Sequence, residues 1–166
     1  MTKTFPTSPN LSFTDRFALL WSSGLFAGYF PFASGTFGTL VAMPIAWAYS
    51  FLPVWLWIPN IVAFIAVTIL TAHRAGEIHG VVDSKYIVAD EFAGLFITTA
   101  FLPFTLQTAV SAFFLFRIAD IVKPWPASYF DRKIKNGWGV TLDDVMAGIY
   151  ARMVMEVLYR VGWLTP

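Results

Sequence analysis

Apolar and polar residues are separated into long blocks along this chain. Five predominantly apolar runs occupy residues 39–52, 55–72, 87–102, 106–122 and 142–163. Apolar runs of this kind predict membrane-crossing helices, although several are shorter than the ~20 residues that cross about 30 Å of hydrocarbon. They can extend into the flanking polar sequence, or the bilayer can thin locally. The pattern therefore predicts an all-α, polytopic membrane helix bundle with about four or five spans.

The N-terminal part has a different pattern. Residues 1–11 are predicted to be a polar tail, and residues 12–22 a short amphipathic helix on the membrane surface with Asp15 in water. Residues 23–38 are rich in Gly, Ser and Pro, which predicts a re-entrant or interfacial loop. We thus expect a tail and interfacial helix over 1–22, followed by a single membrane-embedded domain over 23–166.

Polar residues between the apolar runs form two clusters, at 73–91 and 123–144. Each cluster joins apolar runs whose other ends are connected by charge-free hairpins, at 51–59 and 101–107. The two clusters are therefore expected on the same side of the membrane. Both contain Lys or Arg, so the positive-inside rule predicts that this side is cytoplasmic.

Composition supports a bilayer environment and excludes some chemistry. The chain is 57% hydrophobic and only 13% charged, with a mean hydropathy of +0.65, whereas soluble domains carry roughly 25% charged residues. It has no cysteine, which excludes disulfides, thiolate metal sites and a cysteine nucleophile. The net charge of +1 gives no indication of a nucleic-acid partner.

Carboxylates are concentrated near the ends of the apolar runs on the predicted cytoplasmic side: Asp90, Glu91, Asp120, Asp131, Asp143 and Asp144. One acid at a helix start has a structural explanation, because it accepts hydrogen bonds from free backbone N–H groups. Two pairs of adjacent acids carry more negative charge than the capping of two helices requires. Either the surplus is solvated, or a divalent cation neutralises it near the hydrocarbon. Oxygen ligands and few histidines suit Mg²⁺ or Mn²⁺.

Basic residues accompany these acids. Arg117 and Asp120 share a helix face, and Lys123 continues the stripe before Pro124 ends the helix. They form either a structural ion pair at the interface or a clamp for a phosphate group. The stretch Ser34–Thr39 is similar to a loop that opens a helix with free N–H groups, which is a weaker indication of an anion site.

Four motifs together resemble the phosphatidylglycerophosphatase A family, over roughly residues 22–150. They are SGTFGTL (34–40), VADEFAG (88–94), FRIADIVKPWPASYFDR (116–132) and GWGVTLDDVMAG (137–148). The resemblance implies an all-helical, Mg²⁺-dependent enzyme of phospholipid biosynthesis in the bacterial inner membrane. Mn²⁺ stays the alternative metal that oxygen ligands also suit. It implies hydrolysis of phosphatidylglycerophosphate to phosphatidylglycerol and phosphate at the cytoplasmic face. The domain over 23–166 would then be catalytic.

The resemblance also implies roles for individual residues. The metal ligands are predicted to be Asp90, Glu91, Asp143 and Asp144. The catalytic residues are predicted to be Asp120, as ligand or water-orienting base, with Arg117 and Lys123 holding the phosphate. The substrate-binding residues are predicted to be Ser34, Gly35, Thr36, Arg117, Lys123 and Asp131.

Two other functions are consistent with parts of the pattern. A membrane phospholipid-headgroup transferase also uses acid clusters and Mg²⁺, and residues 143–152 are superficially similar to its motif, but further downstream acids are absent. A transporter would need polar residues near the middle of the membrane, where the first four runs are almost uncharged. The expected partners are a phospholipid substrate and the lipid bilayer, with no nucleic acid and no required protein partner.

Overall fold

Helices make up all the regular structure of residues 11–164, the part of the chain that the computed structural model describes. The predicted polar tail falls almost wholly on residues 1–10, outside the described residues. The α-helices are α1 (Phe13–Ser22), α2 (Ser34–Tyr49), α3 (Val54–His79), α4 (Ala89–Thr99), α5 (Leu106–Val122), α6 (Ala127–Lys133) and α7 (Gly137–Arg160), with a 3₁₀ turn at Ala27–Tyr29. The predicted all-α class is confirmed for this range.

Helix α4 is the centre of the bundle. Nine of its 11 residues are buried, and it contacts α2, α3, α5 and α7. A helix that is apolar on all sides is stable only when other elements enclose it. The neighbours of α4 therefore form the wall of the bundle, and the first turn of α4, which carries Asp90 and Glu91, lies at one end of it.

Close packing fixes the directions of α5 and α7 relative to α4. A side chain at Gly94 would collide with Phe116 of α5 and with the main chain of α7, and one at Gly148 would collide with the Gly94 carbonyl. Further along, Arg152 Nε donates a hydrogen bond to the Ala100 carbonyl at 2.7 Å. Helices α4 and α7 are therefore parallel, and glycine lets their backbones approach closely. Helix α5 runs antiparallel to both.

Aromatic contacts orient the other two long helices. Tyr49 at the end of α2 stacks on Phe96 near the end of α4, so these helices are parallel. Trp57 at the start of α3 stacks on Phe101 just beyond α4, so α3 is antiparallel to α4. Consequently α2, α4 and α7 begin, and α3 and α5 finish, at the same end of the bundle.

Helix α1 forms where the sequence predicts a short amphipathic helix, and it packs against α3, but the prediction that Asp15 lies in water is wrong. Asp15 is buried rather than in water, because it accepts a hydrogen bond from Arg74 Nε of α3 at 2.6 Å. The Arg74 guanidinium, followed by hydrogen bonds from Ser12, lowers the pKa of Asp15 to about 2. Phe13 and Phe17 remain exposed on the outer side of α1.

The predicted element boundaries need several corrections. Helix α2 begins at Ser34 inside the predicted loop over 23–38, and α6 was not predicted. Among the described helices, only α3 is both long and apolar enough to cross a membrane, so the four or five predicted spans are not confirmed. Helix α4 is about 16 Å long at 1.5 Å per residue, and α7 contains five charged residues up to Arg160. Burial inside the bundle replaces lipid contact for α4.

Candidate active site

A polar cavity of about 120 Å³ lies at the end of the bundle where α4 begins. Three helices and one loop supply most of its wall. Its lining residues are Ser34, Asp83, Ser84, Lys85, Ile87, Asp90, Glu91, Asp120, Lys123, Val140, Asp143 and Asp144. Six carboxylates against two lysines give it a strongly negative lining, which favours a cation.

Three of these carboxylates form a compact group that fits a metal ion. Asp90 and Glu91 from the first turn of α4 and Asp144 from α7 each place one oxygen within 4.8 Å of the others. Glu91 Oε2 is buried and has no hydrogen-bond partner among the described residues. Carboxylates packed so closely away from water are unfavourable without a compensating cation. Hard oxygen ligands are the type that Mg²⁺ and Mn²⁺ prefer, so the group fits the expected metal.

Asp143, the fourth predicted metal ligand, is paired with a lysine instead. Lys123 Nζ donates to Asp143 and, at 2.9 Å, to Asp131 Oδ1 of α6. Lys123 reaches both because it follows α5 in a left-handed conformation (φ 46°), immediately before Pro124. Burial alone would lower the pKa of Lys123, but the hydrogen bonds to Asp143 and Asp131 outweigh it and raise that pKa above its ordinary value.

The second basic residue, Arg117, is also held by acids. Its Nη1 donates to Asp120 and lies 3.9 Å from Glu91 Oε1, next to the carboxylate group. Its Nε is buried without a hydrogen-bond partner among residues 11–164. Arg117 therefore places a guanidinium between the last turns of α5 and the first turn of α4, although it does not line the cavity itself.

The start of α2 is packed against Glu91 and Arg117. A side chain at Gly35 would collide with Glu91 Oε1 and would come within 3.2 Å of Arg117 Nη1. Ser34 lines the cavity and donates a hydrogen bond to the Lys85 carbonyl at 2.7 Å. Thr36 does not line the cavity. The predicted substrate-binding stretch is thus adjacent to the predicted metal ligands, with Ser34 the residue that faces them.

The loop between α3 and α4 also supplies residues to the cavity, and no sequence motif indicated them. Asp83, Ser84 and Lys85 all line the cavity. The loop is anchored by Tyr86, whose ring stacks on Tyr29 at 4.9 Å between centroids. These residues lie in the polar cluster at 73–91, but loop residues have no periodicity that would indicate which side chains face a site.

Comparison with known proteins places the chain among phosphatases. The family described as Phosphatidylglycerophosphatase A matches residues 20–159. Phosphatidylglycerophosphatase A of Escherichia coli (strain K12) is 35% identical over 148 residues, which cover 89% of this chain and 84% of the relative. Its namesake in Haemophilus influenzae is 51% identical over 77 residues, 46% and 47% of the two chains.

A relative from Bacteroides thetaiotaomicron with the provisional name phosphatidylinositol-3-phosphatase is 34% identical over 148 residues, 84% of this chain and 91% of the relative. No solved structure matches the chain. The family match extends from α1 to the last turn of α7 and includes every helix that contributes to the cavity. The resemblance predicted from four motifs is confirmed: the chain belongs to the phosphatidylglycerophosphatase A family, a family of phosphatases.

Proposed function

We propose that this protein hydrolyses phosphatidylglycerophosphate to phosphatidylglycerol and phosphate. The observation that carries the proposal is the group formed by Asp90, Glu91 and Asp144 beside two basic side chains, at one end of an apolar bundle. A phosphate monoester needs its negative charge neutralised during hydrolysis, and this group supplies a cation site next to phosphate-binding donors. The names of the Escherichia coli and Haemophilus influenzae relatives support the same substrate.

Mg²⁺, or Mn²⁺ as the alternative, would be held by Asp90, Glu91 and Asp144. When bound, such an ion neutralises phosphate charge and lowers the pKa of a coordinated water. Asp143 remains a proposed ligand, but its pair with Lys123 would have to open first. In the closed pair, Asp143 instead orients the Lys123 ammonium toward the cavity.

The remaining residues have roles that follow from their positions. Arg117 and Lys123 would bind the phosphate oxygens with charge-assisted hydrogen bonds. Asp120, held by Arg117, would orient the attacking water and accept its proton. The water oxygen bonds to phosphorus, the bond from phosphorus to the glycerol oxygen breaks, and the glycerol oxygen takes up a proton. Ser34 and Asp131 would position the substrate phosphate and Lys123, respectively.

A location in the bacterial inner membrane, with several spans and the cavity toward the cytoplasm, suits a lipid substrate. The five helices α2, α3, α4, α5 and α7 alternate in direction. Exposed tryptophans lie at both ends of the bundle, at Trp125 and Trp138 near the cavity and at Trp47, Trp55 and Trp163 near the other end. Tryptophan favours the two membrane interfaces. A phosphorylated headgroup could then reach the cavity while its acyl chains stay in the bilayer.

The test is phosphate release from defined lipids by the purified protein with Mg²⁺. Phosphatidylglycerophosphate should be hydrolysed faster than phosphatidic acid and phosphatidylinositol 3-phosphate. The third lipid is included because of the provisional name of the Bacteroides relative. No release from phosphatidylglycerophosphate would overturn the proposal. Neither the transferase nor the transporter hypothesis has comparable support, since all three relatives are named as phosphatases.

A further inference from the structure

A second and larger cavity lies on the outside of the bundle, away from the carboxylates. It is a groove of about 520 Å³ between α4 and α7, lined by Ile97, Ile149, Met153, Arg152, Glu156 and Arg160. None of these residues belongs to the catalytic cavity. The groove therefore takes no part in the proposed hydrolysis.

The charged residues of this groove carry a net positive charge. Glu156 accepts from Arg152 Nη1 at 2.9 Å with one oxygen and from Arg160 Nε at 2.8 Å with the other. Both carboxylate oxygens are therefore occupied, and the group of three carries a net charge of +1. The Arg160 side chain is 76% exposed, and its two terminal nitrogens have no partner among the described residues. The groove thus offers outward-facing cationic donors and no unpaired acid.

Charge and apolar surface are also separated along the groove. Arg160 is 16 residues beyond Asp144 on α7, or about 24 Å at 1.5 Å per residue. If the carboxylate group lies at one membrane interface, Arg160 approaches the opposite one, since the hydrocarbon is about 30 Å thick. The apolar lining at Ile97, Ile149 and Met153 lies on the side of Arg160 that faces the middle of the bundle. This order, from charge at the interface to apolar surface inside, is that of a phospholipid in the opposite leaflet.

We propose that this groove binds one anionic phospholipid from the leaflet opposite the active site. Its phosphate contacts the terminal nitrogens of Arg160, and an acyl chain lies along Ile97, Ile149 and Met153. An anionic headgroup is preferred to a zwitterionic one, because a choline or ethanolamine cation would find no free carboxylate here. The inference rests on the proposed membrane orientation and is independent of the catalytic residues.

Native mass spectrometry of the detergent-purified full chain tests this directly. Phosphatidylmethanol is the anionic probe, since it lacks the phosphate monoester and is not the product of the proposed reaction. Phosphatidylcholine with the same acyl chains is the zwitterionic probe. Phosphatidylmethanol should be retained more strongly, and Arg160→Gln should reduce its retention by about fivefold or more, since charge-assisted hydrogen bonds are lost.

Two further variants keep the test specific. Ile149→Trp fills the apolar part of the groove without changing charge, and it should also reduce retention. Arg132→Gln removes one exposed arginine from α6 near the catalytic end, and it should leave retention unchanged. Phosphate release from phosphatidylglycerophosphate should survive Arg160→Gln, which separates failure of this inference from failure of the proposed function.

Equal retention of the two lipids, or anionic retention that Arg160→Gln leaves intact, would overturn the proposal. So would a monomer–dimer equilibrium that Arg160→Gln shifts without any lipid selectivity. That outcome would mean a second copy of the chain covers the groove.

Discussion

Asp90 and Asp144 have no basic side chain paired with them in residues 11–164, unlike two other acids of the same cavity. Asp120 pairs with Arg117, and Asp143 pairs with Lys123. In the proposed site a bound cation would neutralise Asp90 and Asp144, whereas Asp120 and Asp143 already have basic partners. This difference predicts distinct consequences of substitution within one small cavity.

Asp144→Asn should abolish activity while preserving the fold. The substitution breaks no ion pair and keeps the side-chain size, but it removes the charge that would hold Mg²⁺. We expect phosphate release to fall by more than the 10–100-fold typical of outer-shell partners of a metal. The melting temperature in chelator should change little. Glu156→Gln, in the groove between α4 and α7, is the matched control and should leave phosphate release almost unchanged. Near-normal activity of Asp144→Asn would refute the metal assignment.

Lys123→Ala should reduce both activity and stability. Loss of the ammonium removes a phosphate donor, and it also leaves the Asp143 carboxylate, 5% exposed, without its partner. Breaking a buried ion pair costs about 3–5 kcal/mol, and partial solvent access at Lys123 reduces that value here. Thermal unfolding should show the loss, and Asp143→Asn in the same chain should recover stability but not activity. Lys133→Ala on the exposed side of α6 is the control. Unchanged stability would mean that the pair is not formed.

Removal of the metal should empty the proposed site formed by Asp90, Glu91 and Asp144. We expect EDTA to abolish phosphate release and Mg²⁺ to restore it, because oxygen ligands dominate the cavity. Added Mg²⁺ should also raise the melting temperature, since a ligand that binds only the folded state stabilises it. That rise should be absent in Asp144→Asn, which gives a readout independent of activity. Full activity in excess chelator would contradict the metal site.

At the scale of elements, the contact between α1 and α3 predicts a pH dependence. The pKa of Asp15 is lowered to about 2 from its ordinary value of 3.8, first of all by Arg74. The stabilisation that the Asp15–Arg74 contact provides is therefore complete above about pH 5 and is lost as pH falls from there through about 2. The difference in melting temperature between the natural chain and Asp15→Asn should be constant from pH 7 to pH 5 and should shrink toward pH 2. A constant difference down to pH 2 would contradict the contact.

The sequence predicted elements well where local signals agree. Helix α5 has its predicted bounds, because Thr105 caps its start and Pro124 follows its last turn. Helix α4 is shorter than its apolar run, since Phe101 turns the chain with a left-handed φ of 62°. Helix α6 has only 7 residues and no apolar face long enough to show a period. Local signals of this kind cannot reveal which neighbours enclose a helix.

The candidate site was also predicted only in part from the sequence. The motifs predicted that the acids at 90–91 and 143–144 would meet, and the cavity contains all four. They could not predict that Lys123 would bind Asp143, because that pair depends on how α5 and α7 cross. They also could not indicate Asp83, whose place in the cavity depends on the path of the loop after α3. Contacts across the bundle require the three-dimensional arrangement.

At the scale of the whole molecule, the alternating helices predict opposite locations for the two ends of the bundle. The chain has no cysteine, so single cysteines can report location without background. Val81 and Lys133 are exposed at the end that holds the proposed active site, and Leu106 is 83% exposed at the start of α5, at the other end. In intact cells, a membrane-impermeant maleimide should label Leu106→Cys and spare Val81→Cys and Lys133→Cys. All three should be labelled after the cells are opened, which controls for reactivity. Strong labelling of the Val81 or Lys133 variant in intact cells would reverse the orientation, because the polar clusters with their lysines and arginines would then lie outside.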